Sequence, residues 1–251
     1  GGLKGAPKFP QFYIFDAILH FYKKTNNKKY LDVVEKLLLS LSSKGIYDHL
    51  EGGISRYTVD EKWIIPHFEK MLYDNIQYVN LLNNYLSNIE SNYLKQKLKQ
   101  TIKFINSEFL VKNNLLGSAY DADSDGIEGK YYVWKYQELK DILGSDLELF
   151  KNKYQISEEG NFEGSNILVE TIEPIFDKDS KILEIEKKLL EIRKKRSKPF
   201  FDDKSQTDLN AFWVYVNLYS SIILNDKSLL EKSKKSIENL NQIYENKLFH
   251  C

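Results

Sequence analysis

The chain has 251 residues, 42% of them hydrophobic, enough to bury a substantial core and too apolar for a disordered polypeptide. Lys plus Arg and Asp plus Glu each number 36, so the formal net charge is zero and no basic surplus points to nucleic acid or an anionic membrane surface. The single cysteine, Cys251, can build neither a disulfide framework nor a CxxC redox pair, which fits a reducing, cytoplasmic setting.

Helical periodicity dominates the chain from its start. After Pro10, Phe12, Phe15, Ile18, Leu19 and Phe21 form a broad apolar face of a first helix, and Asn26-Asn27 breaks it. A second helix is predicted from about Lys29 to Ser43, with Leu31, Val34, Leu37, Leu38 and Leu41 inward and Gly45 beyond its end. Ile46 to Ile65 reads as an irregular loop or small hairpin. Pro66 is expected to open a third helix through Met71, Leu72, Ile76, Val79, Leu82 and Leu86, which would put His67 and Asp74 on one face with Lys70 and Met71 between them. A fourth helix, about Tyr93 to Val111, leads into a polar insertion from Asn113 to Trp134. Shorter helices follow near Tyr136 to Leu143 and Asp146 to Tyr154, then an insertion from Ile156 to Val169. A charged helix is expected from about Asp179 to Arg196 and an insertion from Pro199 to Gln206. Helices at about Asp208 to Leu224 and Lys227 to Tyr244 come last. The longest low-charge stretch, Ala211 to Leu224, is too short to span a bilayer.

Helices joined by short turns are antiparallel neighbours, and long loops recurring on alternate connections gather at one end of the assembly, where functional residues concentrate. The pattern fits a helical solenoid or a closed α/α toroid. The chain does not begin with Met and stops without a closing element, so a piece of a longer protein is expected.

The densest polar motif runs from Gly45 to Asp60, continues through Trp63, and ends in Pro66-His-Phe-Glu-Lys-Met-Leu-Tyr-Asp-Asn75. It combines rings (Tyr47, Tyr57, Trp63) with charged groups (Asp48, Arg56, His67, Glu69, Asp74). Flat apolar faces beside carboxylates are what a polyol site needs. A second motif, Ala119 to Trp134, carries Asp121, Asp123, Asp125, Gly126 and Glu128. It matches the opening of a calcium loop, but the twelfth position is Tyr132 where a bidentate Glu belongs, so no metal is expected there. Paired carboxylates for general acid and base work remain compatible with it. In a third motif, Arg196 to Lys204, Asp202 and Asp203 either cap the following helix or face the same cleft. No phosphate loop, Gly-x-Ser-x-Gly elbow or zinc signature is present, and no cofactor is expected.

Taken together, Gly2-Leu-Lys-Gly-Ala-Pro-Lys-Phe-Pro10, the Tyr47-to-Asn75 block, Ala119 to Trp134, Gly160-Asn-Phe-Glu-Gly-Ser-Asn-Ile-Leu168 and Pro199 to Lys204 resemble, in this order, the YyaL-like family, which includes a spermatogenesis-associated protein with an N-terminal thioredoxin-like domain. The resemblance implies a six-hairpin (α/α) toroid similar to those of glycosidases and N-acylglucosamine 2-epimerases. The repeated helix–turn–helix–long-loop pattern independently predicts an all-α chain, an incomplete ring of helical hairpins with at most short strands in its long loops. The resemblance also implies an upstream thioredoxin-like domain and further hairpins beyond Cys251. The family usually has His where Ser55 stands and Trp-Asn-Gly where this chain has Leu209-Asn210-Ala211, departures that point to a divergent substrate or an incomplete active site.

The expectation is therefore a sugar-binding toroid with epimerase-like or glycosidase-like acid/base chemistry. His67, Glu69, Asp74, Asp121, Asp123 and Glu128 would supply the reacting groups. Tyr47, Asp48, Arg56, Tyr57, Trp63, Trp134, Asp202 and Asp203 would bind substrate. The alternative is a non-catalytic interaction module working with the thioredoxin-like domain. Both long motifs emerge at the same end of an antiparallel array, so they are expected to share one concave site.

Overall fold

A computed structural model describes residues 1–171 and 180–243. Three antiparallel helical hairpins form its frame. They are α1 (Phe12–Thr25) with α2 (Lys28–Ser43), α3 (Leu72–Leu86) with α4 (Asn92–Glu108), and, late in the chain, α8 (Thr207–Leu224) with α9 (Lys227–Ile243). Two of the tight turns use the same device. Asn26 and Asn225 take left-handed backbone angles at the C-caps of α1 and α8, a conformation asparagine tolerates better than other non-glycine residues. Asn27 then caps α2 by accepting a bond from the Lys29 amide, and Ser91 caps α4 through the Leu94 amide.

Helix α3 lies between α1 and α8 and buries most of its surface; α4 backs it. The shared core runs through Phe15, Val34, Leu38, Ile76, Val79, Leu82, Leu98, Ile105 and Trp213. Buried polar contacts cross it: Asn83 donates to Ser220 Oγ at 2.8 Å and to the Val216 carbonyl, tying α3 to α8, and the Ser42 and Tyr78 hydroxyls bond at 2.6 Å between α2 and α3.

Three further helices interrupt the hairpin series: α5 (Tyr136–Leu143), α6 (Leu147–Lys153) and α7 (Ser180–Arg193). The sequence predicts all three as helices without placing them in the ring. They close a second core of Leu139, Leu143, Phe150, Tyr154, Ile185 and Leu189 around Trp134, and this core receives Leu50 from the loop after α2. They cap the loop end of the frame because their apolar faces match that loop layer and each other. Residue 179, the expected start of α7, and residue 244, the expected end of α9, lie outside the described residues, as do His250 and Cys251.

Among the described residues, strands occur only as two-residue segments within the loops. β1 (Tyr57–Thr58) pairs with β2 (Pro66–His67), β3 (Lys70–Met71) with β4 (Ala119–Tyr120), β5 (Asp123–Ser124) with β6 (Ile127–Glu128), and β4 also with β7 (Phe201–Asp202), all antiparallel. Pro66 therefore does not open a helix. Residues 66–71 are extended and paired to both sides, and α3 begins at Leu72, so His67 and Asp74 do not share a helical face. The loss is geometric: Arg56 donates its amide to the Glu69 carbonyl and Val59 to Ile65, bonds that a helix through 66–71 could not accept. The three-stranded β3–β4–β7 ribbon joins three insertions that lie far apart in the chain.

Candidate functional site

The Asp60 carboxylate fixes the β1–β2 turn by accepting bonds from the amides of Lys62, Ile64 and Ile65. That turn sets Tyr57 opposite His67. Their rings stack at 5.0 Å, and Phe9 stacks on the other face of Tyr57 at 4.7 Å. His67 Nδ1 lies 2.7 Å from Glu128 Oε1. A carboxylate only accepts, so Nδ1 donates and Nε2 of a neutral ring is left as the acceptor. Glu128 reaches this position because Asp125-Gly126, both with positive φ, make the tight turn of the β5–β6 hairpin. The acidic run is thus a hairpin rather than a calcium loop, with Asp125 paired to Lys130 at 2.9 Å. Among the described residues no group of three or more His, Cys, Asp or Glu side chains is placed to hold a metal ion.

Beside this stack, Arg56 Nη1 meets Glu69 Oε2 at 3.1 Å, and its guanidinium lies 5.9 Å from the Tyr73 ring. Asp74 follows in the first turn of α3. Its Oδ2 is buried without a hydrogen-bond partner, and burial pushes its carboxyl up to about 7, against the pull of Arg56 and with a push from Glu69. Arg56, Tyr73, Asp74 and Gln77 line a cleft of about 160 Å³ together with Phe9 and Gln11. This cleft sits where the N-terminal ends of α1 and α3 meet. The Tyr47–Asp74 and Asp121–Trp134 blocks touch each other beside this cleft, but of the two only Arg56, Tyr73 and Asp74 line it; His67, Glu69 and the whole Asp121–Trp134 block do not. Met71 pairs with Ala119, His67 bonds Glu128, and Phe68 stacks on Tyr132 at 5.6 Å. The close approach needs a glycine: a Cβ on Gly129 would fall 2.4 Å from the Phe68 ring.

Several expected site residues lie elsewhere. Tyr47, Trp63 and Trp134 are at most 2% exposed and form no open wall. The Tyr47 hydroxyl bonds Thr101, Trp63 donates to the Gly1 carbonyl, and Arg196 covers the Trp134 ring at 4.0 Å. Tyr47 and Trp63 are spent on the core of the helical frame, and Trp134 on the core that α5–α7 close. Asp48 is inside a buried ionic cluster. Arg193 grips it with two bonds of 2.9 and 2.8 Å, and Lys70 reaches it at 2.7 Å. Those two cations hold the Asp48 carboxyl well below the usual carboxylate range despite its burial. Asp121 is exposed and accepts from the Ala122 and Asp123 amides, and Asp123 is exposed on β5. Asp202, on β7, pairs with Lys204 at 3.3 Å, while Asp203 is exposed. Neither aspartate caps α8, whose N-cap is Gln206, and none of these four lines the cleft.

A second buried cluster escaped the sequence reading altogether. Glu170 pairs with Lys97 at 3.2 Å, Lys153 at 3.3 Å and His49 at 3.5 Å, and accepts from the Tyr93 hydroxyl. Its carboxyl is held below the ordinary range by these cations, and burial beside Lys97 lowers His49. Two asparagines were also missed. Asn75, one turn into α3, clasps the backbone N–H and C=O of Ile54, and Asn210, at the same place in α8, clasps those of Leu116. The recurrence of Asn at the fourth residue of two helices was the available signal.

No family model matches the chain. It is 25% identical over 270 residues to human spermatogenesis-associated protein 20, an alignment covering 92% of this chain and 34% of that protein. The mouse protein of the same name is 28% identical over 185 residues, covering 66% and 23%. An uncharacterized Caenorhabditis elegans protein is 31% identical over 157 residues, covering 57% and 21%. The chain spans between about a fifth and a third of the length of the curated relatives it matches. Among solved structures, a family 76 glycoside hydrolase from a bovine Bacteroides thetaiotaomicron strain superposes with a TM-score of 0.55 at 9% identity, covering 92% of this chain and 34% of that one. The fold is that of the six-hairpin (α/α) toroids, and by sequence the chain is similar to spermatogenesis-associated protein 20.

Proposed function

We propose that the chain is the toroid portion of a YyaL-like protein and that its cleft performs acid/base chemistry on a carbohydrate. The carrying observation is Asp74: a buried carboxyl with an unpartnered oxygen, pushed up to about 7, on the wall of an open cleft. A carboxyl that keeps its proton near neutral pH can donate it to a glycosidic or carbonyl oxygen. His67, oriented by Glu128 beside the cleft, presents its other ring nitrogen as an acceptor, and Glu69 is the neighbouring partner of Arg56. Phe9 and Tyr73 supply apolar surface. The fold shared with a glycoside hydrolase supports the substrate class by analogy only. A cytoplasmic location and a thioredoxin-like domain in the full-length protein belong to the same proposal. No helix among the described residues is long and apolar enough to cross a membrane.

The test is turnover of a panel of mono- and oligosaccharides by the full-length protein, read both as new reducing ends and as changed isomers. His67→Ala is expected to lower turnover about a hundredfold with little change in melting temperature. Unchanged turnover in both His67→Ala and Asp74→Asn would remove the assignment.

A second reading, a non-catalytic interaction module, is favoured by one feature. Tyr215 and Ile222 on α8 are 58% and 74% exposed and share a stripe with Ala211. Saccharide turnover that depends on His67 separates the two readings.

A further inference from the structure

Glu128 faces two ways. One oxygen binds His67, and the residue also lines a second, larger cleft of about 470 Å³ on the far side of the β5–β6 hairpin. Its walls come from four segments that the first cleft does not use: Ile127 and Lys130 from the hairpin, Val133 and Lys135 before α5, Phe162 and Glu163 from the Gly160–Gly164 turn, and Arg196 after α7. That volume is in the range of small-ligand sites. Its charges nearly cancel. Asp125 is paired with Lys130 and Arg196 with Glu138, which leaves Lys135 and Glu163 as charged groups with no recorded partner among the described residues. A balanced lining of donors and acceptors over Ile127, Val133 and Phe162 suits an uncharged ligand that is apolar on one face and carries hydroxyls at its rim. It offers no concentrated positive charge for a phosphate or a polyanion.

A chain of ring and hydrogen-bond contacts runs from one cleft to the other. Phe9 lines the first, its ring stacks on Tyr57, Tyr57 stacks on His67, and His67 bonds Glu128, which lines the second. We infer that the substrate is a linear oligosaccharide lying along this strip, with one end in the Arg56–Asp74 cleft and its further sugar units in the Ile127–Lys135 cleft. This rests on the carbohydrate reading of the first cleft and extends it from a single ring to a chain. In this proposal the partly exposed Phe9, Tyr57 and His67 side chains are the floor between the two ends. A unit bound in the second cleft touches Glu128 and so helps fix the orientation of His67.

Isothermal titration of the full-length protein with glucose, cellobiose and cellotetraose, and with the α-1,4-linked glucose series of the same lengths, tests this. In at least one series, affinity is expected to rise with length, with the tetrasaccharide binding about tenfold or more tighter than the monosaccharide, equivalent to about 1.4 kcal/mol. The Lys135→Ala and Ile127→Ser variants change exposed side chains of the second cleft only. They are expected to abolish that gain and leave monosaccharide affinity and melting temperature unchanged. Binding of monosaccharide with no gain on lengthening would overturn the second cleft while leaving the first intact. A gain that survives both substitutions would overturn it equally. Failure of every saccharide to bind would remove the carbohydrate reading itself, and this proposal with it.

Discussion

Replacing Asp74 by Asn separates stability from chemistry at one position. The two side chains have nearly the same shape, but Asn never ionises. In the folded protein the Asp74 carboxyl, ordinarily near 3.8, titrates at about 7 because burial penalises its charged form. A carboxyl raised in this way favours the fold fully below its unfolded value, and the contribution is lost as pH rises through the folded one. The window therefore runs from about pH 4 to pH 7, and the full displacement corresponds to about 4 kcal/mol, an upper figure because the cleft admits some water. The expectation is that Asp74→Asn and the parent protein unfold at similar urea concentrations at pH 4. The variant should become progressively more stable up to pH 7, with the gap constant above that. Urea titrations at half-unit pH intervals read the difference directly. An acidic group in the first turn of a helix is also favoured by the macrodipole, which works against the effect by at most about 1 kcal/mol. The reasoning fails if the gap does not grow between pH 4 and 7, or if the parent is the more stable at pH 8. The same variant should lose about a hundredfold in turnover, so a more stable protein would be a less active one.

Arg193→Met removes the guanidinium that grips Asp48 and reaches Glu51 at 3.2 Å. Leaving a buried carboxylate short of a partner is expected to cost about 3–5 kcal/mol in urea unfolding, and a loss below about 1 kcal/mol would show that the cluster is not coupled to the fold. Asn75→Ala breaks three bonds, to Ile54 N, Ile54 O and Met71 O, and strands the Ile54 backbone. It should cost about 2–3 kcal/mol, with Asn75→Asp unable to restore it, since a carboxylate cannot donate to the two carbonyls. Asp48 and Glu170 are held below the ordinary carboxylate range, so their contribution is present above about pH 4 and lost as pH falls further. The melting temperature should fall steeply below pH 4, and a flat profile from pH 5 to pH 2.5 would contradict both ion clusters.

The helical frame was legible because its signals are local. The apolar spacing of Leu31, Val34, Leu38 and Leu41 and the Asn26-Asn27 break act within a turn or two of chain. What was not legible depends on partners far away in sequence. Pro66-His67 reads as a helix start in isolation, and only its pairing with Tyr57-Thr58 makes it extended. Trp63 and Trp134 read as stacking walls because a tryptophan among polar residues signals a ligand or a distant packing partner equally well. Here the partners were Gly1 and Arg196. The juxtaposition of the two polar blocks followed from topology alone, whereas the special state of Asp74 required knowing what surrounds it.

The grip of Arg193 on Asp48 spans 145 residues of chain. Contacts of that separation close late, since the loop entropy must be overcome before they reward the fold. During synthesis, Asp48 and Lys70 can meet as soon as the first two hairpins exist, but Arg193 reaches them only after α7 has emerged. Until then the loop that carries Arg56 and Tyr57 toward the cleft is anchored on one side. The cleft should therefore mature after the frame that holds it. Hydrogen exchange in pulse-labelled refolding would show α3 protected before the Asp48–Arg56 segment. A nascent chain halted before Arg193 would carry every residue of the candidate acid/base group without the clamp that fixes their geometry.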